Sequence, residues 1–180
     1  MGLRKRHDER EVFGRKGTAV RYQMRQRLLS IGDDYWIEDE AGNHVFRVDG
    51  KAMRLRKTLY FEDADGQRRC RIQTRVMHLR DTMEIEDPDG NRIAMVHKKL
   101  ITPLRERWKV DVEHGEDLEV KGNIVNHEYE IEQDGSTVAE VSKQWFRVRD
   151  SYGVEVDPEQ DALLLLAITV AIDSIAHPGR

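Results

Sequence analysis

The sequence predicts a mainly β protein, a closed antiparallel barrel of about twelve strands around a central C-terminal α-helix. Two features carry this prediction. A short strand–turn–strand pattern recurs along most of the 180 residues, and an apolar run at residues 162–172 closes an otherwise densely charged chain. A helix that is apolar on all faces must be buried on all faces, and many antiparallel strands in one domain must hide their edges. A barrel wrapped around the helix satisfies both demands. An open β-sandwich with the helix packed on one face is the alternative.

The C-terminal helix is predicted at about residues 158–177. Asp157 is a suitable N-cap, Pro158 suits the first helical position, and Gln160 stands where a capping box requires Glu or Gln. The apolar run rises only about 16 Å, roughly half the thickness of a bilayer core. We therefore expect it inside the protein and expect no transmembrane segment. The side chains expected to form the helix core are Leu163, Leu165, Leu166, Ile168, Val170 and Ile172.

Four segments have the pattern of β-hairpins. Each is a strand of alternating apolar and polar residues, an acidic turn containing Gly, and a second strand. They are residues 35–48, 59–73, 83–98 and 129–143. Further strands are predicted at residues 19–28, 53–56, 105–112, 118–122 and 151–156. The turn at residues 87–91, DPDGN, has an EF-hand-like composition, but its glycine is fourth and predicted strands flank it. We assign it as a hairpin turn.

Composition predicts one domain at residues 18–180 behind a disordered basic leader at residues 1–17. The charged N-terminus lacks the apolar core of a signal peptide, so a cytoplasmic location is expected. Residues 51–110 carry 15 basic and 9 acidic residues, whereas residues 111–180 carry 5 and 16. This asymmetry suggests a basic surface against an acidic one, and a solvated surface of mixed sign is the plainer interpretation.

The sequence offers little catalytic chemistry. It contains no nucleophile elbow, Walker loop or dinucleotide-binding glycine motif, so we expect no catalytic residues, no cofactor and no enzyme activity. The single cysteine, Cys70, cannot form an intramolecular disulfide. It lies between two arginines in an alternating segment and is expected to be a small core side chain. The seven histidines are scattered, and we expect ordinary strand or loop positions and no metal site.

Asp173 is the exception in the apolar helix. It lies on the same helical face as Thr169, four residues earlier. A carboxylate in apolar surroundings is costly unless it is paired or hydrated. Either the helix emerges into solvent or bonds the barrel rim near Asp173, or the residue forms a buried ion pair with an inward-pointing arginine.

Basic residues give the one recognition surface that the sequence suggests. On three predicted strands they alternate with apolar residues and so point outward together, although Glu106 breaks the pattern on the third strand. The candidate anion surface consists of Arg54, Arg56, Arg69, Arg71, Arg75, Arg105, Arg107 and Lys109. Such stripes on neighbouring strands could bind phosphate groups. The alternative is a set of solvated strand faces with local Asp and Glu partners.

The chain resembles the LURP-one-related family. The resemblance rests on VRYQMRQRLLSIGDDYWIEDEAGNHVFRVDGKAMRLRKTLYFEDADG, on MEIEDPDGN and on the final DALLLLAITVAIDSI, and it covers about residues 19–177. It implies the fold of the tubby C-terminal domain, a twelve-stranded barrel threaded by its last helix, and a similarity to phospholipid scramblases. It brings no shared catalytic motif. Tubby domains bind phosphoinositide headgroups through basic side chains on such strands, which for this chain is an analogy.

The function expected from these observations is a non-enzymatic β-barrel binding module, with anionic phospholipid headgroups as the best-motivated ligand. A protein-interaction or structural domain is one alternative, and a scramblase-like lipid-handling protein is another. Nucleic acid is disfavoured because the basic strands lack interleaved exposed aromatics. We expect a monomer.

Overall fold

The computed structural model describes residues 19–25, 35–49, 52–53, 56–75, 82–99, 107–145 and 151–177. The predicted leader at residues 1–17 lies outside these ranges. The described strands are β1 Val20–Arg25, β2 Tyr35–Asp39, β3 His44–Asp49, β4 Ala52–Met53, β5 Arg56–Asp63, β6 Arg68–Thr74, β7 Thr82–Glu86, β8 Arg92–Lys99, β9 Arg107–Val112, β10 Leu118–Asn123, β11 Glu128–Gln133, β12 Ser136–Ser142 and β13 Ser151–Val156. The helix is α1 Ala162–Ala176.

The strands form an antiparallel sheet that closes on itself. From β5 to β13 each strand pairs with the next in the sequence. β13 then pairs with β1, β1 with β2 and β2 with β3, and β3 returns to β5. This circuit contains twelve strands, and the two-residue β4 pairs with β5 outside it. The predicted closed barrel of about twelve strands with a C-terminal helix is therefore confirmed.

Helix α1 supplies the middle of the hydrophobic core. Its residues 165–174 are all buried, and it packs against β6, β7, β8 and β13. Five of the six predicted core side chains are at most 2% exposed, whereas Leu163, in the first turn, is only partly buried. The inward side chains of the strands, such as Ile85 and Val110, alternate with outward polar ones as expected for a wall with one apolar face. Among the described residues, no helix combines the length and the apolar character needed to cross a bilayer.

The helix begins later than the sequence suggested. Its N-cap is Asp161, whose side chain accepts a hydrogen bond from the Leu164 N–H at 3.2 Å, so the capping role assigned to Asp157 was wrong. Asp157 still belongs to the barrel wall, because its N–H donates to the Val138 carbonyl at 3.0 Å. Its carbonyl and carboxylate accept from Gln160 and Glu159 in a separate turn. The chain must leave the wall through this turn before a helix can run inside the barrel.

The hairpin turns at residues 39–43, 63–67 and 87–91 share one design, in which the N–H of the last residue donates to the carboxylate of the first. In the turn at residues 87–91, Asn91 donates from its backbone N–H and its side-chain amide to the two carboxylate oxygens of Asp87, at 2.8 and 2.9 Å. Gly90 takes φ of +89°, a left-handed conformation that suits glycine. The strand register shifts by one residue beside the turn, as in hairpins with a bulge. These hydrogen bonds, of which the one from the Asn91 side chain has the largest effect, lower the pKa of Asp87. The carboxylate is therefore used to stabilise the turn. The assignment as a hairpin turn is confirmed.

Truncating one helix side chain tests the buried position of α1. Leu165→Ala removes buried methyl groups and leaves a cavity inside the barrel, so we expect the free energy of unfolding to fall by about 2–5 kcal/mol. Urea denaturation followed by tryptophan fluorescence measures it. The control is Val125→Ala, at a side chain that is 54% exposed, which should change the free energy by less than about 0.5 kcal/mol. Equal small effects in both variants would contradict burial of the helix.

The single cysteine gives a second test of the core. Cys70 is 2% exposed, and burial, with a smaller contribution from the charge of Asp161, raises the pKa of its thiol to about 12. The thiolate is the reactive form, so at pH 8 we expect slow alkylation by iodoacetamide in the native protein. Labelling in urea should be complete within the same time. Native labelling at the rate of the unfolded chain would show that β6 is not part of the core.

Candidate functional site

The structure describes five of the eight predicted anion-binding side chains. Arg54 and Arg105 lie outside the described residues, and of Arg56 only the backbone, at the start of β5, is described. The remaining cations lie on the outer face of β6 or just after it, and on the outer face of β9. They are Arg69, Arg71, Arg75, Arg107 and Lys109.

The arginines of the β6 region are engaged by carboxylates. Arg71 donates from Nε to Glu86 at 2.7 Å, and Arg75 donates from Nη2 to Glu84 at 2.9 Å. Both carboxylates belong to β7, whose five residues are all buried. A buried carboxylate without its partner would be strongly destabilising, so these two arginines have a structural task. Arg69 lies 3.7 Å from Asp63. In the β6 region, therefore, the arginines pair with nearby carboxylates, as the alternative to an anion-binding surface predicted.

The two described cations of β9 differ from each other. Lys109 Nζ lies between the carboxylates of Asp111 and Asp117, at 2.5 and 2.7 Å, and the hydrogen bonds to them raise the pKa of its ammonium group. Arg107 is exposed, and no carboxylate of the described residues lies within ion-pair distance of it. Arg107 is therefore the predicted anion-binding residue whose charge is available to a ligand.

The barrel register places two further cations beside Arg107. On one side Arg107 is directly opposite Lys99 of β8, and on the other it is opposite Lys121 of β10. We call Lys99, Arg107 and Lys121 the cation row. Lys121 also contacts the carboxylates of Glu132 and Glu119. The sequence prediction missed Lys99 and Lys121 because their proximity to Arg107 depends on strand pairing, and Lys121 stands in the acidic third of the chain.

A second cluster lies where α1 ends. Asp173 Oδ1 is 2.6 Å from His127 Nε2 and 3.1 Å from His177 Nδ1, and the Asp173 side chain is 2% exposed. The two imidazole rings lie parallel with their centroids 5.0 Å apart, and the ring of Tyr152 packs 4.3 Å from that of His127. We call His127, Asp173 and His177 the His–Asp–His cluster. Its ligand atoms all lie within 4.8 Å of one another, so these three residues are the described group that could hold a metal ion.

Local backbone geometry positions the two histidines. His127 ends the β10–β11 turn with φ of +53°, and its N–H donates to the Ile124 carbonyl at 3.1 Å. Before the turn, Gly122 has φ of +138°, and a Cβ there would approach the Glu128 carbonyl oxygen to 2.5 Å, so this close crossing requires glycine. His177 is the C-cap of α1, and its N–H donates to the Asp173 carbonyl at 3.0 Å.

The cluster resolves the alternatives for Asp173. The residue is buried and bonds the barrel rim through two histidines, as the first alternative allowed, whereas the alternative of a pair with an inward-pointing arginine was wrong. Burial acts to raise the pKa of Asp173, but the hydrogen bond from His127 and the close approach of His177 outweigh it and hold the pKa below its ordinary value. The nearby Asp173 carboxylate in turn raises the pKa of His177. Burial, together with the charge of Asp173, also raises the pKa of the neighbouring Tyr129 hydroxyl.

Two of the seven histidines therefore do not hold the ordinary positions that the sequence suggested. The spacing of Asp173 and His177, four residues apart at the end of the helix, was the available signal, because residues at that spacing share a helical face. No local signal connects His127, which is 46 residues from Asp173.

Comparison with known proteins assigns the family. The LURP-one-related family model matches residues 20–173. The uncharacterized protein YxjI of Bacillus subtilis is 26% identical over 154 residues, which cover 86% of this chain and 92% of YxjI. The X-ray structure of a protein from Arabidopsis thaliana superimposes with a TM-score of 0.66 at 16% identity, covering 88% of this chain and 92% of that one, which supports the fold. A family match over most of the chain, together with the closed barrel around α1, shows that this protein belongs to the LURP-one-related family.

Proposed function

We propose that this domain is a non-enzymatic binding module that holds the phosphate groups of anionic phospholipid headgroups on the cation row. The observation that carries the proposal is the position of Arg107. It is exposed, lies directly between Lys99 and Lys121 in the strand register, and has no carboxylate partner among the described residues.

Like charges opposite each other on neighbouring strands are destabilising. At other described positions of the outer face, opposite charges stand opposite each other, as with Arg71 and Glu86 or Arg21 and Glu155. Within the cation row, the described carboxylates reach only Lys121. An anionic ligand would supply the missing counter-charge. Side chains opposite each other in neighbouring strands lie about 5 Å apart, so three of them span a distance suited to one headgroup with one or more phosphates.

The surrounding charges would orient the domain on a membrane. Beyond the cation row, β11 and β12 carry outward carboxylates, including Glu130 and Glu140. These would be repelled by an anionic bilayer, so we expect the surface around Arg107, rather than β11 and β12, to face it. A Lys or Arg near an anionic surface contributes about 1 kcal/mol. Three such residues give weak, salt-sensitive attachment, which suits a reversible binding module.

The proposal asks the three side chains only to hold charge beside phosphate, which is why we describe the module as non-enzymatic. The buried position of α1 gives no support to that helix as a membrane anchor in a scramblase-like role, because its apolar side chains are already in contact with the barrel wall. A protein partner with an acidic surface remains an outcome that the following experiment can reveal.

The test compares two double variants that remove the same charge. Lys99→Gln with Arg107→Gln removes two members of the cation row. Arg69→Gln with Arg92→Gln removes two exposed arginines that face Asp63 and Glu113. Co-sedimentation measures binding to vesicles of phosphatidylcholine that contain phosphatidylinositol phosphate. The affinity of the first variant for these vesicles should fall about 30-fold, because each lost cation removes about 1 kcal/mol of binding free energy. Binding of the second variant should stay within a few-fold of the wild type.

Three controls complete this test. Raising the salt concentration from 50 to about 500 mM should release the wild-type protein, because exposed charges are screened. Vesicles of phosphatidylcholine alone should not bind. An excess of soluble inositol phosphate should displace the protein from the vesicles if the headgroup phosphates alone are enough for binding. Failure to bind anionic vesicles at low salt would contradict the proposal and favour the protein-interaction alternative.

A further inference from the structure

We propose that the His–Asp–His cluster is a binding site for a divalent first-row transition metal ion, with Zn²⁺ as the natural probe. This inference concerns the end of the barrel where α1 terminates. It does not depend on the cation row or on lipid binding.

The donor set and its spacing suit such an ion. Two imidazole nitrogens and one carboxylate oxygen are ligands that zinc and its neighbours accept. At bonds of about 2.0–2.1 Å, tetrahedral ligand atoms lie roughly 3.3 Å from one another. In the structure His127 Nε2 and His177 Nδ1 lie 2.6 and 3.1 Å from Asp173 Oδ1, and all the ligand atoms are within 4.8 Å of one another. The two parallel imidazole rings would rotate on binding so that a lone pair of each points to the ion.

His177 can supply one nitrogen ligand. Its Nε2 lies 3.3 Å from the Val125 carbonyl oxygen, which can only accept, so Nε2 carries a proton and donates it there. If the ring is neutral, its Nδ1 carries a lone pair. Nδ1 is buried, lies 3.1 Å from Asp173 Oδ1 and makes no well-formed hydrogen bond with the described residues, so this lone pair is available to a metal ion. A histidine whose other nitrogen donates to a backbone carbonyl is also the usual arrangement of a metal-ligating imidazole.

His127 can serve as the second nitrogen ligand. Its Nδ1 is buried and has no hydrogen-bond partner among the described residues. The other nitrogen, Nε2, donates a hydrogen bond to the Asp173 carboxylate at 2.6 Å. A metal ion would take the place of this proton, and the unpartnered Nδ1 could then carry the proton of the neutral ring.

The net charge of the His–Asp–His cluster also favours a bound metal ion. The Asp173 side chain is 2% exposed, and no lysine or arginine of the described residues lies within ion-pair distance of it. With two neutral imidazoles the cluster would bury one net negative charge, which is costly. A divalent ion compensates this charge. The His177 side chain is 12% exposed, which offers a route for the ion from solvent.

A bound ion would join two parts of the chain that are distant in sequence. His127 belongs to the β10–β11 turn, whereas Asp173 and His177 belong to the last turn and the C-cap of α1. The metal would tie the end of the helix to the barrel rim. It would therefore stabilise the folded state by mass action, in proportion to its concentration relative to Kd.

The experiment uses the full chain without a histidine tag, stripped of metal with EDTA and dialysed. Calorimetric titration with Zn²⁺ should give one equivalent bound, and the melting temperature should rise with Zn²⁺. Titration with Co²⁺ should give the visible absorption of a tetrahedral site with nitrogen ligands. His177→Ala, which lies at the end of the helix and least endangers folding, should lower the affinity at least tenfold, since even losing a supporting residue of a metal site costs 10–100-fold.

The matched control is His114→Ala, which removes an exposed histidine outside the cluster and should leave the affinity unchanged. Circular dichroism and metal-free melting establish that each variant is folded. A substitution at the buried Asp173, such as Asp173→Asn, is not needed for the test, because His177→Ala and the Co²⁺ spectrum decide the question. The proposal is overturned if the wild type binds no stoichiometric Zn²⁺, since a proton then fills the gap. It is also overturned if His177→Ala binds as tightly as the wild type.

Discussion

The constraint on which the structure depends is the enclosure of an apolar helix by a sheet with one apolar face. α1 could not be exposed to water along residues 165–174, and twelve strands could not close without something to fill their interior. The barrel wall buries the helix, and the helix fills the barrel interior. The inward positions of the described strands are therefore mostly apolar, while outward positions are free to carry charge. That freedom explains how a chain with 36% charged residues can hold so continuous a core.

On the outer face, the barrel register decides what each charge does. Arg71 and Arg75 have the same outward orientation as Arg107, and the sequence gives no reason to separate them. The pairing of β6 with β7 places Glu86 opposite Arg71, whereas the pairing of β9 with β8 and β10 places lysines opposite Arg107. Two stripes that look alike in sequence therefore differ in structure: Arg71 and Arg75 form ion pairs with β7, whereas Arg107 lies between two lysines.

Inside the barrel, Asp173 is the point at which the apolar pattern of the helix is broken. The fold accommodates it with the histidine turn between β10 and β11 and with the C-cap of α1, so the last turn of the helix is held at the rim by polar contacts. The close crossing at Gly122 and the left-handed backbone of His127 are local departures from regular hairpin geometry. Such departures cost free energy and persist only where the surrounding structure fixes them. Here they bring an imidazole to the carboxylate.

The sequence by itself determined the secondary structure, the closure of the barrel and the burial of the helix. Strand alternation, the glycine turns and the apolar run are local patterns that act over a few residues. Tertiary structure decided the rest. Helix α1 begins at Ala162 and not at the predicted residue 158, because Asp157 is hydrogen-bonded to the barrel wall. The neighbours of Arg107 and the contact of Asp173 with His127 were set by strand register and chain closure. These bring together residues that are far apart along the chain, and no local pattern encodes that proximity.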